Sequence, residues 1–111
     1  MIRSLVRSVI HDARVTHVGS VALRIDGYVL RAAEILPNEE VEIVNPSTGE
    51  RVRTWIEAAA DGSGEVRIPG GARPGESITI VCYGMLHEGQ TLDHKPRVTR
   101  LDAQNRLLLA K

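Results

Sequence analysis

Short runs of β-branched and aliphatic residues, cut at close intervals by Gly, Pro, Asn and Asp, dominate this 111-residue chain. Phe is absent, and Trp55, Tyr28 and Tyr83 are its only aromatic residues, so any core must be built from Val, Ile, Leu and Ala. Such side chains suit pleated strands better than a helical bundle. The spacing predicts a first strand over residues 2–10, carrying Ile2, Leu5, Val6, Val9 and Ile10. A turn is expected near His11-Asp12, then strands through Val15-Thr16 and over 21–25, the latter ended by Asp26-Gly27. Val29, Ala32, Ala33 and Leu36 fall on the stripe of a short helix over 28–35, stopped by Pro37-Asn38. Strands at 41–44 and 51–57 flank the Asn45–Gly49 turn as a hairpin, with Val52, Thr54 and Ile56 on one face and Arg51, Arg53 and Trp55 on the other. Turn residues 61–64 lead into a strand at 66–68, and Pro69-Gly70-Gly71 is irregular backbone. The very apolar run 78–83 is placed centrally, residues 84–96 as a loop, and late strands at 98–101 and 107–109 flank an Asp102–Asn105 turn. Close-spaced short strands with one helix indicate a mainly β chain folded as a small closed barrel.

Bulk properties exclude several functions. The length suits a single domain, 1–111, with one modest core. Lys plus Arg and Asp plus Glu both number 14, for a net charge of zero. That balance gives no reason to expect nucleic acid or an anionic membrane as partner, and it favours self-association over colloidal repulsion. No run of about 18 apolar residues exists to span a bilayer. Arg3, Arg7 and His11 interrupt what would be the apolar centre of a signal peptide. The single cysteine, Cys82, precludes an internal disulfide and fits a cytoplasmic setting; its apolar surroundings suggest a buried, inert thiol. His11, His17, His87 and His94 lack compact ligand spacing, so no metal is expected.

Gly19-Ser20 is the step with chemical potential. A serine hydroxyl can add to the preceding glycine carbonyl and convert the amide to an ester; elimination and hydrolysis would then leave an N-terminal pyruvoyl group. Gly-Ser alone equally describes a tight turn. The framework around it is more specific: Met1-Ile2-Arg3, His11, Val15-Thr16-His17, the Gly19-Ser20 step, Ala32–Glu39, Thr48–Thr54, Gly70-Gly71-Ala72, Pro74–Ile80 and Tyr83-Gly84. In this order the chain resembles the pyruvoyl-dependent aspartate 1-decarboxylases over nearly its whole length.

The resemblance implies a double-psi β-barrel, assembled as a homotetramer with active sites at subunit boundaries. It implies a zymogen that cuts itself autocatalytically between Gly19 and Ser20 into 1–19 and 20–111, with or without a maturation factor. The pyruvoyl group derived from Ser20 would be the cofactor, forming a Schiff base with a small amino-acid substrate and acting as the electron sink when CO2 leaves. The family reaction converts L-aspartate to β-alanine for pantothenate biosynthesis. Thr54 matches the threonine that assists the acyl shift, and Arg51 the arginine that clamps a substrate carboxylate. Gly70, Gly71 and Ala72 match the small-residue loop beside the pyruvoyl group. His11 and His17 match framework histidines, for which support of processing and ordinary packing are equal readings.

Five places depart from the family pattern. Val9 stands for a lysine, Val44 for a tryptophan, Pro69 for an asparagine, and the segment between Thr16-His17 and Gly19 is cut to Val18. Trp55 stands where the proton-donating tyrosine is expected, and an indole N–H is too weak an acid for that task. Trp55 is therefore expected to fill space left at Val44, with water or another group reprotonating the product. Arg51 and Thr54 are three apart, so a regular strand puts them on opposite faces; either a bulge intervenes or they serve different sides of a subunit boundary. Two alternatives stay open: a decarboxylase of another amino acid in a specialised pathway, and an unprocessed, non-catalytic barrel with a structural or regulatory role.

Overall fold

The computed structural model describes residues 2–87 and 94–108, which form one sheet system and a single helix. In chain order these are β1 (Ile2–Arg14), β2 (His17–Val18), β3 (Leu23–Asp26), α1 (Gly27–Ala33), β4 (Glu40–Val44), β5 (Arg51–Ala59), β6 (Val66–Ile68), β7 (Ser77–His87) and β8 (Arg97–Arg100). The strand order is β2-β6-β3-β5-β4-β7-β1-β8. Among the described residues, only β4–β5 is a sequential hairpin. Parallel pairing of β2 with β6, β3 with β5 and β1 with β8 requires crossover connections. This mainly β, interleaved arrangement is the double-psi β-barrel expected from the sequence.

The core is aliphatic but for Cys82. Ile10, Leu23, Ile25, Ile43, Ile56, Val66, Ile68, Ile78 and Ile80 are fully buried and mutually packed. β7 lies between β1 and β4, the central place its composition suggested.

Several expectations need correction, among them the second strand, which falls at His17–Val18 and not at Val15-Thr16. His11-Asp12 is not a turn between strands: β1 runs on to Arg14, with Ala13 opposite Ile78 and Arg14 opposite Ser77. The local signal is real, because Asp12 has φ 63° and the register slips between Ile10 and Ala13, but it makes a β-bulge. α1 buries Gly27, Val29, Leu30 and Ala33, while Leu36 is exposed. Its stop is Glu34 in the left-handed conformation, with Ile35 N–H donating to Leu30 O at 3.0 Å and the Ile35 side chain buried, so a Schellman closure ends the helix before Pro37 is reached. Residues 84–87 extend β7 instead of beginning a loop; 88–93 lie outside the described residues. The late strand expected at 107–109 is reduced to a bridge between Leu101 and Leu107, and Leu109 lies outside the described residues.

Asp26 joins two of these elements. Its carboxylate caps α1 by accepting from Tyr28 N–H at 2.9 Å, and accepts from Gly62 and Gly64 N–H at 3.0 Å each. Burial alone would raise its pKa; the N–H groups of Gly64, Gly62 and Tyr28, with Arg106 nearby, outweigh burial and hold it below the usual carboxylate value. A depressed folded pKa contributes stability that is present above the unfolded value, about 3.9, and is lost as pH falls through the folded one. Asp26→Asn should therefore cost about 1–3 kcal/mol in urea unfolding at pH 7. The gap to wild type should narrow below about pH 4; a gap of constant size across that range would contradict the assignment.

Candidate active site

The segment leading to Ser20 is sewn to β6. Thr16 N–H donates to Val66 O at 2.9 Å, and the Thr16 hydroxyl both donates to Val66 O at 3.0 Å and accepts from Val66 N–H at 2.9 Å. His17 then pairs with Arg67 and Val18 with Ile68. The Ile68 carbonyl accepts from Gly19 N–H at 2.9 Å and from Ser20 N–H at 3.4 Å. Gly19 has φ +114°, a conformation closed in practice to side chains, although a Cβ there would meet no atom within 4 Å. Its requirement is conformational, not steric.

Ser20 is half-buried and its hydroxyl donates to Ala22 O at 2.5 Å. From the neighbouring strand, Thr54 Oγ1 donates to Val21 O at 3.2 Å; the side chain is nearly buried on the inner face of β5. Parallel pairing of β3 with β5, Leu23 opposite Ile56, brings these residues level. Gly19, Ser20 and Thr54 thus come together, and His17 stands at the edge, its Nδ1 2.9 Å from Thr16 Oγ1. His11 does not join them: it pairs with Arg100 in β8.

Gly70 follows Ile68 by two residues, so the Ile68 tether brings the small-residue loop beside Ser20. Gly71 has φ +92°, and a Cβ there would sit 2.9 Å from Val52 Cγ2; its carbonyl accepts from Asn45 Nδ2 at 3.0 Å. Ala72 packs against the core. Gly70 carries neither a positive φ nor a near neighbour for a Cβ.

Arg51 and Trp55 occupy the opposite, outer face of β5. The β4–β5 register is regular from Glu40–Trp55 to Val44–Arg51, so no bulge brings Arg51 round to Thr54. Nor does Trp55 fill space at Val44: it pairs with Glu40, about 13 Å along the strand from the Val44–Arg51 pair. On this face Arg51 Nη1 contacts Glu42 Oε1 at 2.7 Å, and the Tyr83 hydroxyl donates to the same oxygen at 3.2 Å. Glu42 was not singled out from the sequence, and Tyr83 entered only through the Tyr83-Gly84 match, with no role given to it. Hairpin register would have suggested Glu42, since it places an acidic side chain on the same face as Arg51 and Arg53.

Cys82 is buried; burial pushes its thiol pKa up, while Arg7, whose Nη2 lies 3.0 Å from the sulfur, pulls the other way. Among the described residues, no cluster of three or more His, Cys, Asp or Glu is placed to hold a metal, and no helix is long and apolar enough to cross a membrane.

Sequence comparison bears on the family. A family model described as aspartate decarboxylase matches residues 1–108. The chain belongs to the aspartate decarboxylase family. A relative named aspartate 1-decarboxylase from Staphylococcus epidermidis (strain RP62A) is 40% identical over 97% of this chain and 90% of its own. Relatives of the same name from Staphylococcus aureus (strain JH9) and Shouchella clausii (strain KSM-K16) are 38% and 35% identical, covering 95% and 97% of this chain and 88% and 91% of theirs. The crystal structure of a computationally designed protein, msDPBB_sym2, matches 72% of this chain and 99% of its own at TM-score 0.49 and 20% identity.

The surroundings of Ser20 fit the group that the aspartate decarboxylase resemblance implies. A glycine in the left-handed region precedes the serine, and a hydroxyl donor stands one peptide beyond it. The two glycines of the small-residue loop separate cleanly by geometry. Gly71→Ala should lower stability by about 1–3 kcal/mol, from its positive φ and the Val52 contact. Gly70→Ala should leave chemical denaturation within about 0.5 kcal/mol of wild type; equal losses at both positions would contradict this account.

Proposed function

We propose that this chain is a self-processing, pyruvoyl-dependent carboxy-lyase that converts L-aspartate to β-alanine and CO2. The observation that carries the reading is Gly19 at φ +114° immediately before Ser20, under the Thr54 hydroxyl that holds the Val21 carbonyl. Ser20 Oγ exchanges its bond to Ala22 O for attack on the Gly19 carbonyl carbon. The C–N bond breaks, the freed amine takes the proton, and an ester links the two residues. Thr54 steadies the peptide next to the developing oxyanion. Loss of the Ser20 Cα proton expels the Gly19 carboxylate and separates 1–19 from 20–111; water then adds to the imine form of the residue left at position 20 and releases ammonia, leaving the ketone.

When formed, the pyruvoyl ketone supplies an electron sink for the pair left by departing CO2. Arg51 binds the substrate's side-chain carboxylate. The small residues Gly70, Gly71 and Ala72 admit the substrate close to the backbone. Trp55 walls the site and delivers no proton, so reprotonation draws on water or another group. Because Arg51 and Trp55 lie on the far face of β5 from Ser20, one chain supplies two halves of a site, which supports completion between subunits of a homotetramer. The product suits β-alanine supply for pantothenate synthesis in the cytoplasm.

One observation favours a narrower second reading. The Ser20 hydroxyl points forward to Ala22, so a maturation factor that turns it toward Gly19 would set the rate of processing, and without it the chain would stay an uncut barrel. A different amino-acid substrate is favoured by Val9, which leaves Arg51 as a single carboxylate anchor.

Processing and CO2 release test the proposal together. Ser20→Ala should stay a single 111-residue chain and release no CO2 from aspartate. Thr54→Val should cut about ten-fold or more slowly than wild type, followed by gel over time. Wild type that behaves like Ser20→Ala in both assays would overturn the proposal.

A further inference from the structure

Arg51 is a long side chain on an open strand face, its side chain 61% exposed, and such a group loses considerable rotamer freedom when it is held. Its cross-strand neighbour is Val44, which offers no charge, yet its guanidinium reaches diagonally along β4 to Glu42. Glu42 is the unusual member of the pair. It sits on the outer face with only 11% of its side chain exposed, and it accepts at one oxygen from both Arg51 Nη1 and the Tyr83 hydroxyl. A half-open ion pair adds little to stability, and desolvating a carboxylate costs free energy. Fold stability alone gives little reason for the arrangement.

The geometry points to Glu42, with Tyr83 behind it, as positioning residues that aim Arg51 at the carboxylate of its substrate. The inference rests on the reading of Arg51 as a substrate clamp. Tyr83 comes from β7 on the far side of β4 from Arg51, so its hydroxyl fixes the Glu42 carboxylate from the side opposite the arginine. Glu42 then holds the guanidinium over β4. The contact at Nη1 takes one of five N–H donors, leaving the fork able to grip a second carboxylate. The pair also cancels the arginine's charge, so recognition relies on directed hydrogen bonds more than on long-range attraction.

Succinate, which is aspartate without its amine, probes the clamp without any condensation at a ketone. Calorimetric titration of the assembled protein with succinate is one readout, and kcat and KM for aspartate are the other. Glu42→Gln should weaken succinate binding and raise KM about five- to ten-fold, with kcat within about two-fold of wild type, because a clamp acts on substrate and transition state alike. Tyr83→Phe should shift both in the same direction, by about two-fold. In an Arg51→Gln background Glu42→Gln should have no further effect on succinate binding, since its action runs through Arg51. Unchanged succinate affinity and KM in Glu42→Gln, or a loss that persists in the Arg51→Gln background, would overturn the inference while leaving the clamp in place. Succinate binding untouched by Arg51→Gln would remove the clamp and this inference with it. Wild type that binds succinate but releases no CO2 from aspartate would instead contradict the proposed reaction alone.

Discussion

A single carbonyl oxygen, that of Ile68, governs the Gly19–Ser20 peptide. It accepts from both N–H groups of the step and so sets the direction in which the glycine carbonyl and the serine hydroxyl project. The oxygen stands there because β2 runs parallel to β6, and β6 is held in turn against β3. Parallel neighbours cannot be joined by a tight hairpin, so the step depends on the crossed connections of the barrel and not on its immediate sequence. The left-handed φ of Gly19 follows from the same tether, as the chain must leave β2, keep two N–H groups on one acceptor, and turn toward β3.

β5 divides the chemistry between its faces. Thr54 points inward to the Val21 carbonyl, beside the step proposed for cleavage, while Arg51 and Trp55 point outward. A strand with strict alternation cannot serve both tasks in one cavity. Under the proposed assembly the outward face of one subunit completes the inward site of another, and exposed apolar residues on both sides, Val18 and Val21 near the step and Trp55 and Tyr83 on the outer face, are suited to burial there. Glu42 belongs to this division of labour. It gives the outer face a fixed arginine without touching Ser20 or Thr54, the groups proposed to act on the backbone.

Much of this was legible in the sequence because strand alternation and turn residues are local signals. The hairpin from Val41 to Glu57 was legible for that reason, with Thr54 and Arg51 on opposite faces. Features set by distant partners were not. Asp12 reads as a turn, yet pairing with Ile78 and Ser77 carries β1 through it as a bulge. Pro37 reads as a helix stop, yet burial of Ile35 closes α1 earlier through Glu34. The same holds within the site. Ser20 and Thr54 were recognisable by resemblance, whereas the Glu42–Tyr83 contact joins side chains 41 positions apart and exists only through the order β5-β4-β7. The expectation that Trp55 fills the place of Val44 failed because cross-strand register, invisible in a single strand, sets them far apart.

The central claim is that the backbone breaks after Gly19 and leaves a ketone at position 20. Intact mass under denaturing conditions, on protein purified from its own cells and treated with a carbonyl reagent, tests it most directly. The account predicts two species, residues 1–19 and 20–111, with the larger one alone carrying the reagent. A single unmodified chain of 111 residues, its Ser20 hydroxyl intact, would contradict it.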